Sequence, residues 1–270
     1  MYGYQELSKD IENFKMFAEV GSIGKSRLGR DIFYIRLSLP VPCAFCPVPS
    51  IIITGGIHAR EHITAKLVSA LVYEYGMRKE RKKRADLRFN IYFIPLVNPD
   101  GAEMCLRGGL PLWKANAAGV DLNVNFPARW GTGKQNVLEA GSENYIGGYP
   151  LCEPESRALA RFTEFVCPRT TLSYHCKGRE IYWQFYQDEA AEKRDFMIAK
   201  KLEAETGYKL VDAGGSAGGY KDFCIERLKI PAFTIEVGDD KYSHPFPYSE
   251  FERIFCENRN VPWILSGIRG

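Results

Sequence analysis

Apolar residues along this chain follow two alternating kinds of pattern. Short β-branched or aromatic runs bounded by Gly, Pro or Asn predict core strands. They fall at Asp31–Leu37, Ser50–Thr54, Asn90–Val97, Thr171–His175, Glu180–Phe185 and Ala232–Val237. Between them, helical spacing of apolar positions predicts helices over Gln5–Glu19, Ile63–Met77, Glu153–Val166, Glu189–Thr206 and Ser249–Leu265. Strands alternating with helices of this length need a sheet covered on both faces, so the expected class is α/β. From Gly101 to Tyr149 the periodicity fades and Gly, Pro and Asn accumulate. So long a loop inside a compact domain is usually functional. Its place after a core strand makes it a wall of the candidate site.

Composition narrows this picture without redirecting it. With 270 residues, 45% of them hydrophobic, and a formal charge of +3, the chain can bury a large core as a single domain, residues 1–270. That charge is too small to argue for a nucleic-acid partner. The basic run Arg78 to Arg84, interrupted by Glu80, reads as the solvated cationic end of the preceding helix, which the helix dipole favours. No apolar stretch is long enough to span a bilayer, so no membrane partner is expected. The opening Met1-Tyr2-Gly3-Tyr4-Gln5-Glu6 lacks a basic segment leading into an apolar one, so the expected location is cytoplasmic. Eight cysteines without regular spacing then read as reduced thiols. Cys43-Ala44-Phe45-Cys46 is a lone C-x-x-C between prolines, with no second pair to complete a tetrahedral metal site.

The chemistry concentrates where strands end. In Ile51-Ile52-Ile53-Thr54-Gly55-Gly56-Ile57-His58-Ala59-Arg60-Glu61-His62, a buried apolar run breaks at two glycines, and a His and a Glu follow three positions apart. Neutral imidazole and carboxylate suit zinc, and a catalytic zinc needs one further protein ligand and an open position. Of the 4 histidines, His175 ends the run Thr170-Thr171-Leu172-Ser173-Tyr174-His175, again at the carboxyl end of a strand, where open α/β sheets place their ligands. A core histidine bonded to backbone is the bland alternative. His58-x-x-Glu61-His62 also matches H-x-x-E-H, in which both histidines bind zinc from one helix. That reading needs all three residues inside a helix, whereas the helical pattern starts only near Ile63. His62 is then a packing or supporting residue, and His244, before Pro245, a turn residue. Glu236, inside the apolar Ala232–Val237, is costly to bury without compensation. It is either the partner of a buried cation or the base of a hydrolytic site, where desolvation raises its pKa.

Taken together, His58-x-x-Glu61, Asn98-Pro99-Asp100-Gly101, Gly119-Val120-Asp121-Leu122-Asn123, His175 and Glu236 occur in the order typical of zinc carboxypeptidases related to pancreatic carboxypeptidase A. The chain resembles that family over nearly its whole length. The resemblance implies one zinc ion held by His58, Glu61 and His175, with Glu236 as general acid/base and Asp121 orienting a zinc histidine. The implied fold is a single α/β domain with a mixed, mostly parallel, eight-stranded twisted sheet flanked by helices.

Departures from the digestive members are equally informative. Their Asn-Arg pair, whose Arg grips the substrate's C-terminal carboxylate, is Asn123-Val124 here, and valine cannot form that bidentate contact. Seven residues before Asp121, where relatives have a carbonyl-polarising Arg, stands Lys114, which can stabilise an oxyanion as a point charge. Lys221, in Gly218-Gly219-Tyr220-Lys221-Asp222, falls at the bottom of the specificity pocket, where a cation favours an acidic group; otherwise it snorkels to solvent. Asn123 and Lys221 are thus the substrate-binding candidates. Gly214 aligns nearest to the capping tyrosine of the digestive enzymes.

With Leu112-Trp113-Lys114-Ala115-Asn116, Asn123-Val124-Asn125-Phe126, Trp130-Gly131-Thr132-Gly133 and Gly141-Ser142-Glu143-Asn144-Tyr145, these departures resemble the bacterial γ-D-glutamyl-L-diamino acid peptidases. The substrate so implied is a muropeptide, cut between D-glutamate and meso-diaminopimelate or lysine. A carboxypeptidase of ordinary peptides shares every zinc residue. A non-catalytic muropeptide-binding module is the alternative from another class, and the intact His58, Glu61, His175 and Glu236 argue against it.

Overall fold

The computed structural model describes residues 1–38, 48–212 except 81–88, and 214–267, with residues 78–80 described by their backbone alone. Cys43 and Cys46 lie outside the described residues, and so does most of the basic run Arg78 to Arg84.

Eight strands form one sheet: β1 (Glu19–Lys25), β2 (Asp31–Leu37), β3 (Ser50–Thr54), β4 (Asn90–Ile94), β5 (Thr170–Cys176), β6 (Glu180–Tyr182), β7 (Lys209–Val211) and β8 (Ala232–Val237). Their order is β1-β2-β4-β3-β5-β8-β6-β7. The pairs β4–β3, β3–β5, β5–β8 and β6–β7 are parallel, whereas β1–β2, β2–β4 and β8–β6 are antiparallel. The helices are α1 (Tyr4–Phe14), α2 (His62–Glu80), α3 (Pro99–Arg107), α4 (Pro154–Val166), α5 (Glu189–Thr206), α6 (Tyr220–Glu226), α7 (Phe251–Asn258) and α8 (Val261–Ser266). None among the described residues is long and apolar enough to cross a membrane.

The apolar runs read from the sequence are buried on both sides, as a helix-covered sheet requires. All of β3 and β5 is buried. Along β3, Ile51 and Ile53 enter one core with Leu7, Leu71, Leu202 and Ile254 of the helices on that face. Ile52 enters the other core, with Leu159 and Tyr220. Leu122 and Phe126, from the long stretch after β4, complete that second core. The wall of the site is therefore anchored by its own apolar residues.

Several boundaries differ from the sequence expectation. The helix expected over Gln5–Glu19 stops at Phe14, and β1 follows. Gly21, Ser22 and Gly24 make β1 look like a loop; a Cβ at Gly21 would lie 2.5 Å from the Tyr34 ring across the pair. The single helix expected over Ser249–Leu265 is broken into α7 and α8. Pro262 in the first turn of α8 has no N–H to continue the α7 ladder. The stretch from Gly101 is helical as far as Arg107, because Asn98 caps α3 by accepting from Gly101 N at 3.0 Å. The strand expected over Asn90–Val97 ends at Ile94, and that over Glu180–Phe185 at Tyr182. The three-residue β7 and the helix α6 were not expected.

Candidate active site

Strands β3, β5 and β8 are adjacent and parallel, so their carboxyl ends share one edge of the sheet. His58 follows β3, His175 lies in β5, and Glu236 is the β8 partner of His175 in register. Two glycines bring His58 back over that edge. A Cβ on Gly55 would lie 2.8 Å from Thr64 O, and Gly56, at φ +58, leaves no room beside Leu96. Thr64 Oγ1 accepts from Gly56 N at 2.9 Å and donates to Glu61 O at 2.8 Å, fixing the turn that carries both residues. Asn98 Nδ2 donates to Ile57 O and Ala115 O, which ties this turn to the wall.

His58, Glu61 and His175 are buried, and one donor atom from each lies within 4.8 Å of the others. The atoms are identifiable. His58 Nδ1 is 2.8 Å from Glu61 Oε1 and 3.1 Å from His175 Nδ1, and His175 Nδ1 is 3.2 Å from Glu61 Oε2. Ligands about 2.0–2.1 Å from a tetrahedral zinc stand roughly 3.3 Å apart, close to these separations. Burying two imidazoles and a carboxylate this close is a poor arrangement for packing and a good one for a cation. The donor set fits zinc. His62 begins α2, so His58 and Glu61 precede the helix, which excludes the H-x-x-E-H geometry. His62 instead stacks on Tyr248, ring centroids 5.5 Å apart.

Around the donors the charges interlock. His58 turns Nε2 toward Asp121 Oδ1, a 3.2 Å contact, while Asp121 Oδ2 pairs with Lys114 Nζ at 2.7 Å. Asp121 also accepts from Asn123 N and Asn144 N. Burial works to raise the Asp121 carboxyl, yet Lys114 and His58 outweigh it and hold it far below the usual range. Glu61 behaves alike: burial opposes ionisation, and His58 and His175 win, keeping it a carboxylate. Burial would lower Lys114, but Asp121 raises it, so the ammonium persists. Asn144, at φ +63, accepts from Lys114 Nζ at 3.1 Å. The sequence motif contained Asn144 without assigning it a role, and its left-handed backbone is not visible in the residue pattern.

Glu236 contrasts with its neighbours. Burial pushes its carboxyl up to about 8, against the lowering pull of His175 and Lys114. A dication on the adjacent donors would draw it back toward ionisation.

A cavity of about 510 Å³ joins these residues, lined among others by His58, Lys114, Val124, Gly214, Lys221 and Glu236. Asn123 also faces it, with Oδ1 accepting from Tyr220 N at 3.1 Å, which leaves its amide nitrogen as a donor. Lys221 does not snorkel. It is buried, donating to Gln184 O at 2.9 Å and to Asp222 Oδ1 at 2.6 Å. It is thus paired with Asp222, a cavity residue that sequence reasoning passed over.

Comparison with known proteins agrees with this architecture. A family described as zinc carboxypeptidase matches residues 4–261. The γ-D-glutamyl-L-diamino acid endopeptidase 1 of Lysinibacillus sphaericus is 30% identical over 99% of this chain and 72% of its own length. Among solved structures, bovine thrombin-activatable fibrinolysis inhibitor superposes with a TM-score of 0.82 at 22% identity, covering 97% of this chain and 94% of that one. The murein-tripeptide amidase MpaA of Escherichia coli O157 gives a TM-score of 0.62 at 22% identity, covering 93% and 92%. With a buried His-Glu-His donor set at the sheet edge and a family match running almost end to end, the chain belongs to the zinc carboxypeptidase family and is a zinc metallopeptidase.

Proposed function

We propose that the enzyme hydrolyses the amide bond between γ-D-glutamate and a diamino acid in cell-wall stem peptides. The observation that carries this reading is the cavity wall. Val124 stands where a digestive carboxypeptidase needs a carboxylate-gripping Arg, while charged side chains of both signs, among them Lys134, Asp212, Lys221 and Asp222, line other parts of the wall. The L. sphaericus relative, named for this bond, supports it.

In this reading His58, Glu61 and His175 would hold one zinc ion, which would supply Lewis acidity there. Glu236 takes a proton from the attacking water as the new C–O bond forms. It returns that proton to the leaving amine as the C–N bond breaks, so the carboxylate is regenerated. Lys114, held by Asp121 and Asn144, faces the developing oxyanion; such a donor contributes on the order of 3 kcal/mol in comparable sites. Asp121 orients His58, and the Asn123 amide contacts substrate.

A screen tests this: zinc-loaded protein with L-Ala-γ-D-Glu-meso-diaminopimelate and, in parallel, hippuryl-type C-terminal substrates, products identified by mass spectrometry. Cleavage between D-Glu and the diamino acid is expected. Cleavage of only the hippuryl substrates would favour an ordinary carboxypeptidase.

A further inference from the structure

Lys114 and Asp121 belong to one short stretch of the cavity wall, and between them lies Asn116. Its side chain is buried, and its amide makes all four hydrogen bonds open to it. Oδ1 accepts from Ala118 N at 3.0 Å and from Val120 N at 3.1 Å, which fixes the end of the amide that is oxygen. Nδ2 donates to Glu153 Oε2 at 2.7 Å and to Glu155 Oε2 at 3.2 Å. The Asn116 backbone adds to this: its N–H donates to Val120 O, and its carbonyl accepts from Gly119 N and Trp113 Nε1. The chain from Trp113 to Val120 therefore folds back on Asn116. Glu153 and Glu155 are its outer anchor, both buried at the start of α4, where the helix dipole favours carboxylates. Glu155 Oε1 accepts from Arg27 N at 2.9 Å, and Arg27 Nη1 lies 3.4 Å from Glu153 Oε2. Two buried carboxylates are costly unless each is matched, and Asn116 is the partner they share.

We propose that Asn116 is a positioning residue: clamped by Glu153 and Glu155, it sets where Lys114 and Asp121 stand, and so ties oxyanion stabilisation to zinc affinity. This rests on the reading in which Lys114 faces the oxyanion and Asp121 orients His58. Lys114 Nζ and Asp121 Oδ2 are 2.7 Å apart, and Asp121 Oδ1 is 3.2 Å from His58 Nε2. Both groups hang from the stretch that Asn116 closes, so a shift of that stretch moves them together. A catalytic group misplaced by about 1 Å costs on the order of 100-fold in rate. A disturbed carboxylate behind a metal-binding histidine costs about 10- to 100-fold in metal affinity. One residue that touches neither substrate nor donor atoms thereby governs both quantities.

The test measures zinc affinity by chelator competition, and kcat and KM on whichever stem-peptide or hippuryl substrate the full chain cleaves, at about pH 8, above the carboxylate range. Asn116→Asp turns the shared donor into a third carboxylate. Zinc affinity should fall by about 10-fold or more and kcat by about 100-fold, with KM little changed. Adding Glu155→Gln reverses the hydrogen bond and restores the net charge, since a carboxamide now donates where a carboxylate accepted. The double variant should recover both quantities to within about 5-fold of wild type. Glu155→Gln alone sets two donors against each other and should cost about 3- to 10-fold in both, which keeps the test decisive should Asn116→Asp fail to fold. Lower stability to urea, with zinc affinity and kcat unchanged, would make Asn116 merely structural and overturn the proposal. A double variant no better than Asn116→Asp would do the same. A fall in zinc affinity with kcat retained would overturn the coupling. Lys114→Met alongside then locates the failure, because its kcat survives only if the oxyanion reading is wrong.

Discussion

Asp121 Oδ1 lies 3.2 Å from His58 Nε2, on the opposite side of the imidazole from the nitrogen that faces Glu61. A carboxylate there selects the tautomer with hydrogen on Nε2, which leaves Nδ1 as a lone-pair donor to metal. Asp121→Asn preserves shape and removes the charge. Zinc affinity should fall by about 10- to 100-fold, read by competition with a chromophoric chelator. Unchanged affinity would mean that the turn around Gly55 and Gly56 alone orients His58.

Glu236 and His175 face each other across β5 and β8, yet their roles separate cleanly under mutation. Glu236→Gln keeps the size and loses the proton acceptor. It should retain full zinc content while kcat drops by at least about 100-fold. His175→Ala should instead lose most of the metal on dialysis, measured by atomic absorption. Near-normal turnover of the first variant would remove Glu236 from the mechanism, and full occupancy in the second would remove His175 from the donor set.

Lys114 is a separate case because its ammonium is held to Asp121 at 2.7 Å and to Asn144 at 3.1 Å. If it stabilises the oxyanion, Lys114→Met should lower kcat by about 100- to 1,000-fold with KM little changed. Lys114→Arg should recover part of the loss, since charge survives while geometry shifts. A variant altered in KM alone would assign Lys114 to ground-state binding.

How far the sequence carried can be judged from particular elements. β2, β3, β8 and α5 fall where the apolar runs put them: β3 is wholly and β8 almost wholly buried, β2 buries Ile32, Ile35 and Leu37, and α5 is capped by Asp188. The clustering of His58, Glu61 and His175 beside Glu236 was legible because strands delivering His or Glu at one sheet edge are chemically unusual. β1 was not legible, since its glycines answer to Tyr34, a residue met only after the strand pairs. Asp222 escaped for a related reason. It caps α6, a helix the sequence did not announce, and that it also lines the cavity follows only from the fold. Lys221 was read as a pocket cation or a lysine snorkelling to solvent; that it lies buried against Asp222 follows only from the fold.

His62 offers a pH signature that does not depend on zinc chemistry. Its ring is buried against Tyr248, with no hydrogen-bond partner for Nδ1 among the described residues, and burial depresses its pKa from 6.5 to about 4, helped by the N-terminus and His244. Between those values the unfolded chain binds a proton that the folded chain refuses, so stability falls as pH drops from 6.5 toward 4. Below that window both states are protonated and the loss is complete, at about 3 kcal/mol for a shift of this size. His62→Phe keeps an aromatic ring on Tyr248 and cannot titrate. Urea denaturation of metal-free protein from pH 7 to pH 4 should show wild type losing stability faster than the variant, the gap widening through the window. A gap that stays constant with pH would show that His62 is protonated in the folded protein and has found a partner for its charge.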